Sequence, residues 1–156
     1  MTADFYSFDT SSLLNGRRDL LPPEVFRSLW SNVEAMIATG QIRAVEIVKD
    51  ELSRRDDEVS RWALKQAGLF VPLAADVQRS TREVLAQHPR LMGAGGGRNA
   101  ADPFVIGLAR ASSLVVVTEE TLSGNLNRPR IPDVCNALGV PWTNLIGFVR
   151  SQNWSF

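Results

Sequence analysis

Four acidic residues each close or open a segment that reads as regular structure: Asp9, Glu51, Asp102 and Glu120. Asp9 ends the apolar run Phe5-Tyr6-Ser7-Phe8, Glu51 lies just beyond residues 42–48, and Glu120 lies just beyond Leu114-Val115-Val116-Val117. Asp102, followed by Pro103, opens a helical pattern that feeds the last of these runs. Parallel strands present their carboxyl ends at one edge of a sheet, where open α/β folds put their sites. Asp9, Glu51 and Glu120 are therefore expected to converge there, and Asp102 joins them if its helix starts at that edge. Four carboxylates in one cleft repel one another unless cations neutralise them or some are protonated. Hard oxygen donors of this kind suit Mg²⁺ or Mn²⁺. Such a centre activates water and steadies the charge of a phosphodiester in an in-line displacement.

Each acid also has a plainer explanation. Asp9 before Thr10, Ser11 and Ser12 fits a turn or cap, because these side-chain oxygens accept from free backbone amides. Asp102 before Pro103 fits an N-cap with a first-turn proline. Glu51 fits a solvated first helical turn, and Glu119 with Glu120 fits an exposed pair at a strand end. Order, residue type and placement taken together favour a site.

The elements that must hold these acids follow from periodicity. Residues 5–8 read as a first strand. Leu21-Pro22-Pro23-Glu24 reads as a helix start, followed by the stripe Val25, Leu29, Val33 and Ile37 with Phe26, Trp30 and Met36 beside it, and by Gly40 as its stop. Residues 42–48 read as a second strand, and residues 53–68 as a charged helix with Val59, Trp62 and Ala63 inward. Residues 70–73 read as a short extended segment. Asp76 is expected to cap a helix that His88-Pro89 breaks. Residues 92–99 form a glycine-rich loop, and Asp102-Pro103 opens a helix through Val105, Ile106, Leu108 and Ala109. Residues 114–117 are a continuous β-branched run of the kind buried on both faces in a parallel sheet. A short helix is expected over residues 132–138, stopped by Gly139, and one more within 141–156. The alternation, with no internal repeat or linker, predicts a single α/β domain over residues 1–156 with a mainly parallel sheet.

Composition narrows the classes. At 156 residues, 44% hydrophobic and 22% charged, the chain has the make-up of a globular domain large enough to bury a core. No apolar run approaches the roughly 20 residues of a membrane span. The start lacks a basic segment followed by an apolar stretch, so a cytoplasmic protein without a membrane partner is expected. Cys135 stands alone, which excludes an internal disulfide and suits a reducing compartment. Net charge is zero, so no overall basic field announces nucleic acid. Arginine nevertheless supplies all but two of the 17 basic residues. Its planar fork suits phosphate, although GC-rich coding also enriches it. With the four acids set against a metal, 13 acids remain to balance 17 bases.

Other chemistries fit less well. The loop Gly93-Ala94-Gly95-Gly96-Gly97-Arg98-Asn99 lacks the Gly-x-x-x-x-Gly-Lys-[Ser/Thr] pattern of a phosphate-binding loop. Ser12 lacks the Gly-x-Ser-x-Gly context of a nucleophile elbow. Ser11 occupies the place where a haloacid-dehalogenase pattern needs a second Asp. His88, before a proline, reads as a surface or capping residue rather than a general base, and Cys135 has no evident activating partner.

In this order the motifs resemble the PIN domain family, metal-dependent ribonucleases that include toxins of VapC type. The resemblance rests on Phe8-Asp9-Thr10-Ser11, Val48-Lys49-Asp50-Glu51-Leu52, Ala101-Asp102-Pro103-Phe104-Val105-Ile106-Gly107-Leu108-Ala109 and Val115-Val116-Val117-Thr118-Glu119-Glu120. Arg130-Ile131-Pro132-Asp133-Val134-Cys135 with Asn144-Leu145 also resembles a PIN-like subgroup of uncharacterised bacterial proteins. The likeness covers nearly the whole chain. It implies a three-layer α/β/α fold around a central, mainly parallel sheet. It implies Asp9, Glu51 and Asp102 as ligands of Mg²⁺ or Mn²⁺, Glu120 as fourth acid, and Thr10 or Ser11 with Thr118 as hydroxyls that orient them. The family usually has Asp at the fourth position, so Asp133 becomes an additional candidate, against its reading as a cap after Pro132. The resemblance further implies an RNA substrate, a protein antitoxin and a homodimer. Arg17, Arg18, Arg98, Arg128 and Arg130 are the candidates to touch RNA. Leu13, Leu14, Leu20, Leu21 and Trp30 are candidates for an antitoxin groove, or by default for the core. The expected function is hydrolysis of RNA phosphodiesters by a metal-dependent endoribonuclease, the toxin of a toxin–antitoxin pair. The alternatives are a catalytically decayed RNA-binding or regulatory protein on the same fold, and a small-molecule phosphohydrolase on a Rossmann-like fold.

Overall fold

Tyr6, Ser7 and Phe8 are all buried although alternate strand residues point to opposite faces, so both faces of this strand are covered. In the computed structural model, which describes residues 4–92 and 100–156, these residues form β1 (Tyr6–Phe8). The other strands are β2 (Ile42–Val45), β3 (Phe70–Val71), β4 (Val115–Val117) and β5 (Trp142–Thr143). All pair in parallel in the order β3-β2-β1-β4-β5, with Tyr6 opposite Ile42 on one side and Val115 on the other. Eight helices are described: α1 (Thr10–Asn15), α2 (Arg27–Ala38), α3 (Glu46–Ser53), α4 (Glu58–Leu64), α5 (Ala75–Gln87), α6 (Asp102–Ser112), α7 (Ile131–Leu138) and α8 (Leu145–Ser151).

Contacts at β1 define the layers. Tyr6 and Phe8 meet Phe148 of α8 edge-on, with ring centroids 4.7 and 5.2 Å apart. On the opposite face the Ser7 hydroxyl donates to the Val105 carbonyl of α6 at 3.0 Å, satisfying a buried polar group. Helices thus cover both faces of a parallel sheet, and the fold is an α/β/α sandwich. The apolar core is one continuous cluster.

Several elements differ from the sequence expectation, each for a local reason. The run after Asp9 is the helix α1, prolonged by a π turn over Gly16–Leu20, rather than a simple turn. The second strand ends at Val45, and α3 follows at once. Val48 and Leu52, four positions apart, turn one buried stripe inward, which only a helix provides. Helix α2 begins at Arg27 instead of at the prolines. Pro23 disfavours a helical Pro22, and the segment instead makes a turn in which the Val25 and Phe26 amides donate to the Pro22 carbonyl. Val25 is left 68% exposed instead of joining the stripe. Ala74, not Asp76, is the N-cap of α5. The tail contains the edge strand β5 as well as its helix. The glycine-rich segment 93–99, including Arg98, lies outside the described residues.

Candidate metal centre

The strand order sets the place. From β1 the chain moves outward through β2 and β3, then returns to the other side of β1 for β4 and β5. Such a reversal opens a crevice at the carboxyl ends of the two strands that flank it. Asp9 leaves β1 there and Glu120 lies three residues past the end of β4. Helix α6 packs on β1, β2 and β4 and delivers Asp102 from its first position. The N-cap is Ala101, and Asp102 makes no side-chain hydrogen bond among the described residues, so capping does not explain this acid.

Carboxylate oxygens of Asp9, Asp102 and Glu120 lie within 4.8 Å of one another. Asp9 and Asp102 are buried and Glu120 half-buried. Asp9 Oδ2 accepts from the hydroxyls of Ser11 at 2.7 Å and Thr118 at 2.8 Å. Each hydroxyl also accepts an amide from the turn after β4: Glu119 to Ser11 at 3.0 Å, Glu120 to Thr118 at 3.1 Å. These bonds stitch the ends of β1 and β4 together. Glu119 faces elsewhere, accepting the Leu145 amide at the start of α8 at 2.7 Å. Nothing in the sequence distinguishes this brace from its neighbour Glu120.

Glu51 stands outside the close triad. It projects from α3 and accepts from the Thr10 hydroxyl at 2.6 Å. Its charge still reaches the others, since Asp9 raises the Glu51 pKa and Glu51 raises that of Asp102. Glu120, one methylene longer than the Asp expected at this position, belongs to the triad.

The electrostatics are those of anions crowded out of water. Burial pushes Asp9 above the usual carboxylate range despite its hydrogen bonds. Burial, then the charges of Glu120, Asp9 and Glu51, push Asp102 up to about 9. Burial and the Asp9 charge push Glu120 up to about 7, with Arg130 opposing. Glu51 is raised by burial, with the Thr10 bond working against it. The donors are hard carboxylate oxygens, and among the described residues no cation offsets the charges acting on Asp102. This donor set fits a hard divalent cation, and through that ion the four acids and their hydroxyl partners could activate water.

Other expected residues are committed elsewhere. Asp133 is a loop clamp: it accepts the amides of Ser123, Gly124 and Arg130 and the Ser123 hydroxyl. Burial alone would raise its pKa, but these donors outweigh it and hold the carboxyl below the usual value. Arg17 is buried, its guanidinium 4.4 Å from the Trp62 ring and 5.1 Å from that of Trp30 and bound to Glu58 at 2.7 Å, so it is withdrawn from RNA. Arg18 pairs with Asp19 at the surface. Arg128 and Arg130 are exposed, and Arg130 donates to the Thr121 hydroxyl. Leu13, Leu21 and Trp30 are core, Leu14 packs against it, and only Leu20 of that apolar set is exposed. No described helix is long and apolar enough to cross a membrane.

Residues 6–156 match the family described as "Domain of unknown function (DUF4411)". No curated protein matches the chain. Among solved structures, VapBC2 from Rickettsia felis, bound to a DNA fragment from its promoter, is similar at 15% identity and a TM-score of 0.55, covering 90% of this chain and 98% of the other. FitAcB from Neisseria gonorrhoeae is similar at 16% identity and a TM-score of 0.52, covering 90% of this chain and 97% of the other. FitAB bound to an IR36 DNA fragment is similar at 16% identity and a TM-score of 0.53, covering 90% and 94%. The likeness is one of fold, and that fold is PIN-like.

Proposed function

The chain belongs to the DUF4411 family, and for it we propose the activity of a metal-dependent endoribonuclease, the toxin of a toxin–antitoxin pair. One observation carries this reading. Asp9, Asp102 and Glu120, far apart in sequence, meet within 4.8 Å in the crevice between β1 and β4. Their oxygens would hold Mg²⁺ or Mn²⁺, with Glu51 beside them. A divalent ion there supplies Lewis-acid polarisation of a phosphodiester and lowers the pKa of water. Ser11 and Thr118 keep the Asp9 carboxylate in one orientation. Glu51, held at Oε2 by the Thr10 hydroxyl and close to the Ala101 amide, would add its charge beside the ion. Fold similarity to VapBC2 and FitAB supports a protein antitoxin as partner; the homodimer belongs to the same proposal on the sequence resemblance alone.

The test is Asp9→Asn, which keeps the shape and hydrogen-bonding oxygen while removing the charge. With Mn²⁺ and single-stranded RNA, the wild type should cleave and the variant should lose at least about 100-fold in rate. Undiminished cleavage by the variant would refute the assigned site. A wild type that fails to bind Mn²⁺ would favour a decayed scaffold. Turnover of small phosphate esters with RNA left intact would favour a phosphohydrolase.

A further inference from the structure

Residues 121–130 join Glu120 to α7 without helix or strand, yet their polar groups are largely engaged. Asp133 clamps three of their amides, the Ser123 hydroxyl donates to Asp133 while accepting the Asn125 amide, and the Arg128 amide donates to the Asn125 carbonyl. The apolar groups are what remain uncovered: Leu122 and Leu126 are 52% and 53% exposed. Hydrogen bonding rather than burial thus orders this loop, and the ordering cost of presenting two leucines is met before anything binds.

Both leucines line a shallow pocket of about 340 Å³ together with Asn125 and, from α7, Asn136 and Ala137. The amides of both asparagines have a defined sense. Asn125 Oδ1 accepts from the Asn127 amide, and Asn136 Oδ1 accepts from Trp142 Nε1, each at 2.9 Å. Each keeps an NH₂ group to donate, with no partner among the described residues. Arg128 and Arg130 are the loop's only charged residues, while the Asp133 carboxylate at the pocket is saturated by amide and hydroxyl donors. The pocket's apolar walls and two donors match the flat face and acceptor edge of a nucleobase, and the two exposed arginines that follow in the same loop, outside the pocket lining, match phosphates. Leu122 is two residues from Glu120, at most about 7 Å along the chain.

We propose that this pocket takes a nucleobase of the RNA strand beside the bond cut at the acidic cluster, with Arg128 and Arg130 on the flanking phosphates. This rests on the nuclease reading above. Two donors favour guanine, whose N7 and O6 are both acceptors, over adenine, which sets an N6 donor beside N7.

The experiment is cleavage of a randomised RNA pool with Mn²⁺ by wild type, Asn125→Asp/Asn136→Asp and Arg128→Ala. The double variant keeps both internal acceptors and loses both donors. Wild type should prefer guanine over adenine at one position near the cut. The double variant should lose that preference and about tenfold or more in kcat/KM on guanine-bearing RNA, with Mn²⁺ affinity and Tm unchanged. Arg128→Ala should weaken all sequences alike. Cleavage without that preference, or a preference that survives in the double variant, overturns the proposal, leaves the nuclease standing and points the pocket to a protein partner. A wild type that cuts no RNA overturns both.

Discussion

Two hydroxyls converge on one oxygen of Asp9, and that convergence holds a strand-end carboxylate in one orientation. Thr118 is fully buried and links Asp9 to the Glu120 amide, so Thr118→Val removes both connections at nearly constant volume. Partners that orient ligands are typically worth about 10–100-fold in metal affinity, and Mn²⁺ titration should register a loss of that size. Unchanged affinity would mean the hydroxyl only fills space. Protonation gives a second prediction. Asp102 and Glu120 are raised in the folded protein, so between their unfolded values near 4 and their folded ones the native state holds extra protons. Stability of the metal-free protein is therefore fullest below the unfolded pKa and falls as pH rises. In EDTA, Tm should drop from pH 5 to pH 8, by about 2–4 °C per kcal/mol lost in a chain of this size. Saturating Mn²⁺ should flatten or reverse the trend. At this scale the sequence showed Asp9 at the end of an apolar run, while Ser11 and Thr118 could be joined to it only through the family resemblance, because Thr118 lies 109 residues away. It was silent where one residue type has two uses. Asp102 and Asp133 both stand by a proline at a helix start, and only the surroundings separate the acid of the cluster from the loop clamp.

Helix α6 carries Asp102 to the crevice, and its seat depends on a missing side chain. A Cβ at Gly107 would collide with the Thr81 side chain and its Cα on α5. Gly107→Ala should therefore force the two helices apart at a cost of about 1–3 kcal/mol, read by chemical denaturation, and should weaken Mn²⁺ binding by displacing Asp102. A variant as stable as wild type would show that the contact yields. At the start of α4, Asp57 accepts the Ser60 amide at 2.9 Å, and its carboxyl is held down to about 2. Asp57→Ala should lose about 1 kcal/mol at neutral pH, measurable as a shift in urea midpoint, and lose less below the unfolded pKa. The main elements were legible because β1, β4 and α6 carry strong patterns. The ends were not. Residues 42–48 look extended throughout, and only packing of Val48 and Leu52 decides where helix replaces strand. The edge strand β5 is too short to leave a period in the sequence.

For the molecule as a whole, the acidic crevice should couple ion binding to folding. An ion held only by the native state at 100 times its dissociation constant adds about 2.7 kcal/mol, so Tm should climb with Mn²⁺ concentration. Asp9→Asn should climb far less, and equal gains in both proteins would locate the ion elsewhere. The layered architecture was legible in the alternation of strand and helix; the strand order was not, because it depends on which pairings bury the most surface.

The outermost strands, Phe70–Val71 and Trp142–Thr143, are two residues each. An extra strand zipped onto either border would find only one or two rungs to grip, too few to anchor it. Copies of this chain that associate should therefore do so through surfaces other than the sheet borders. The same stubby borders make sheet-to-sheet polymerisation an unfavourable fate for the folded protein.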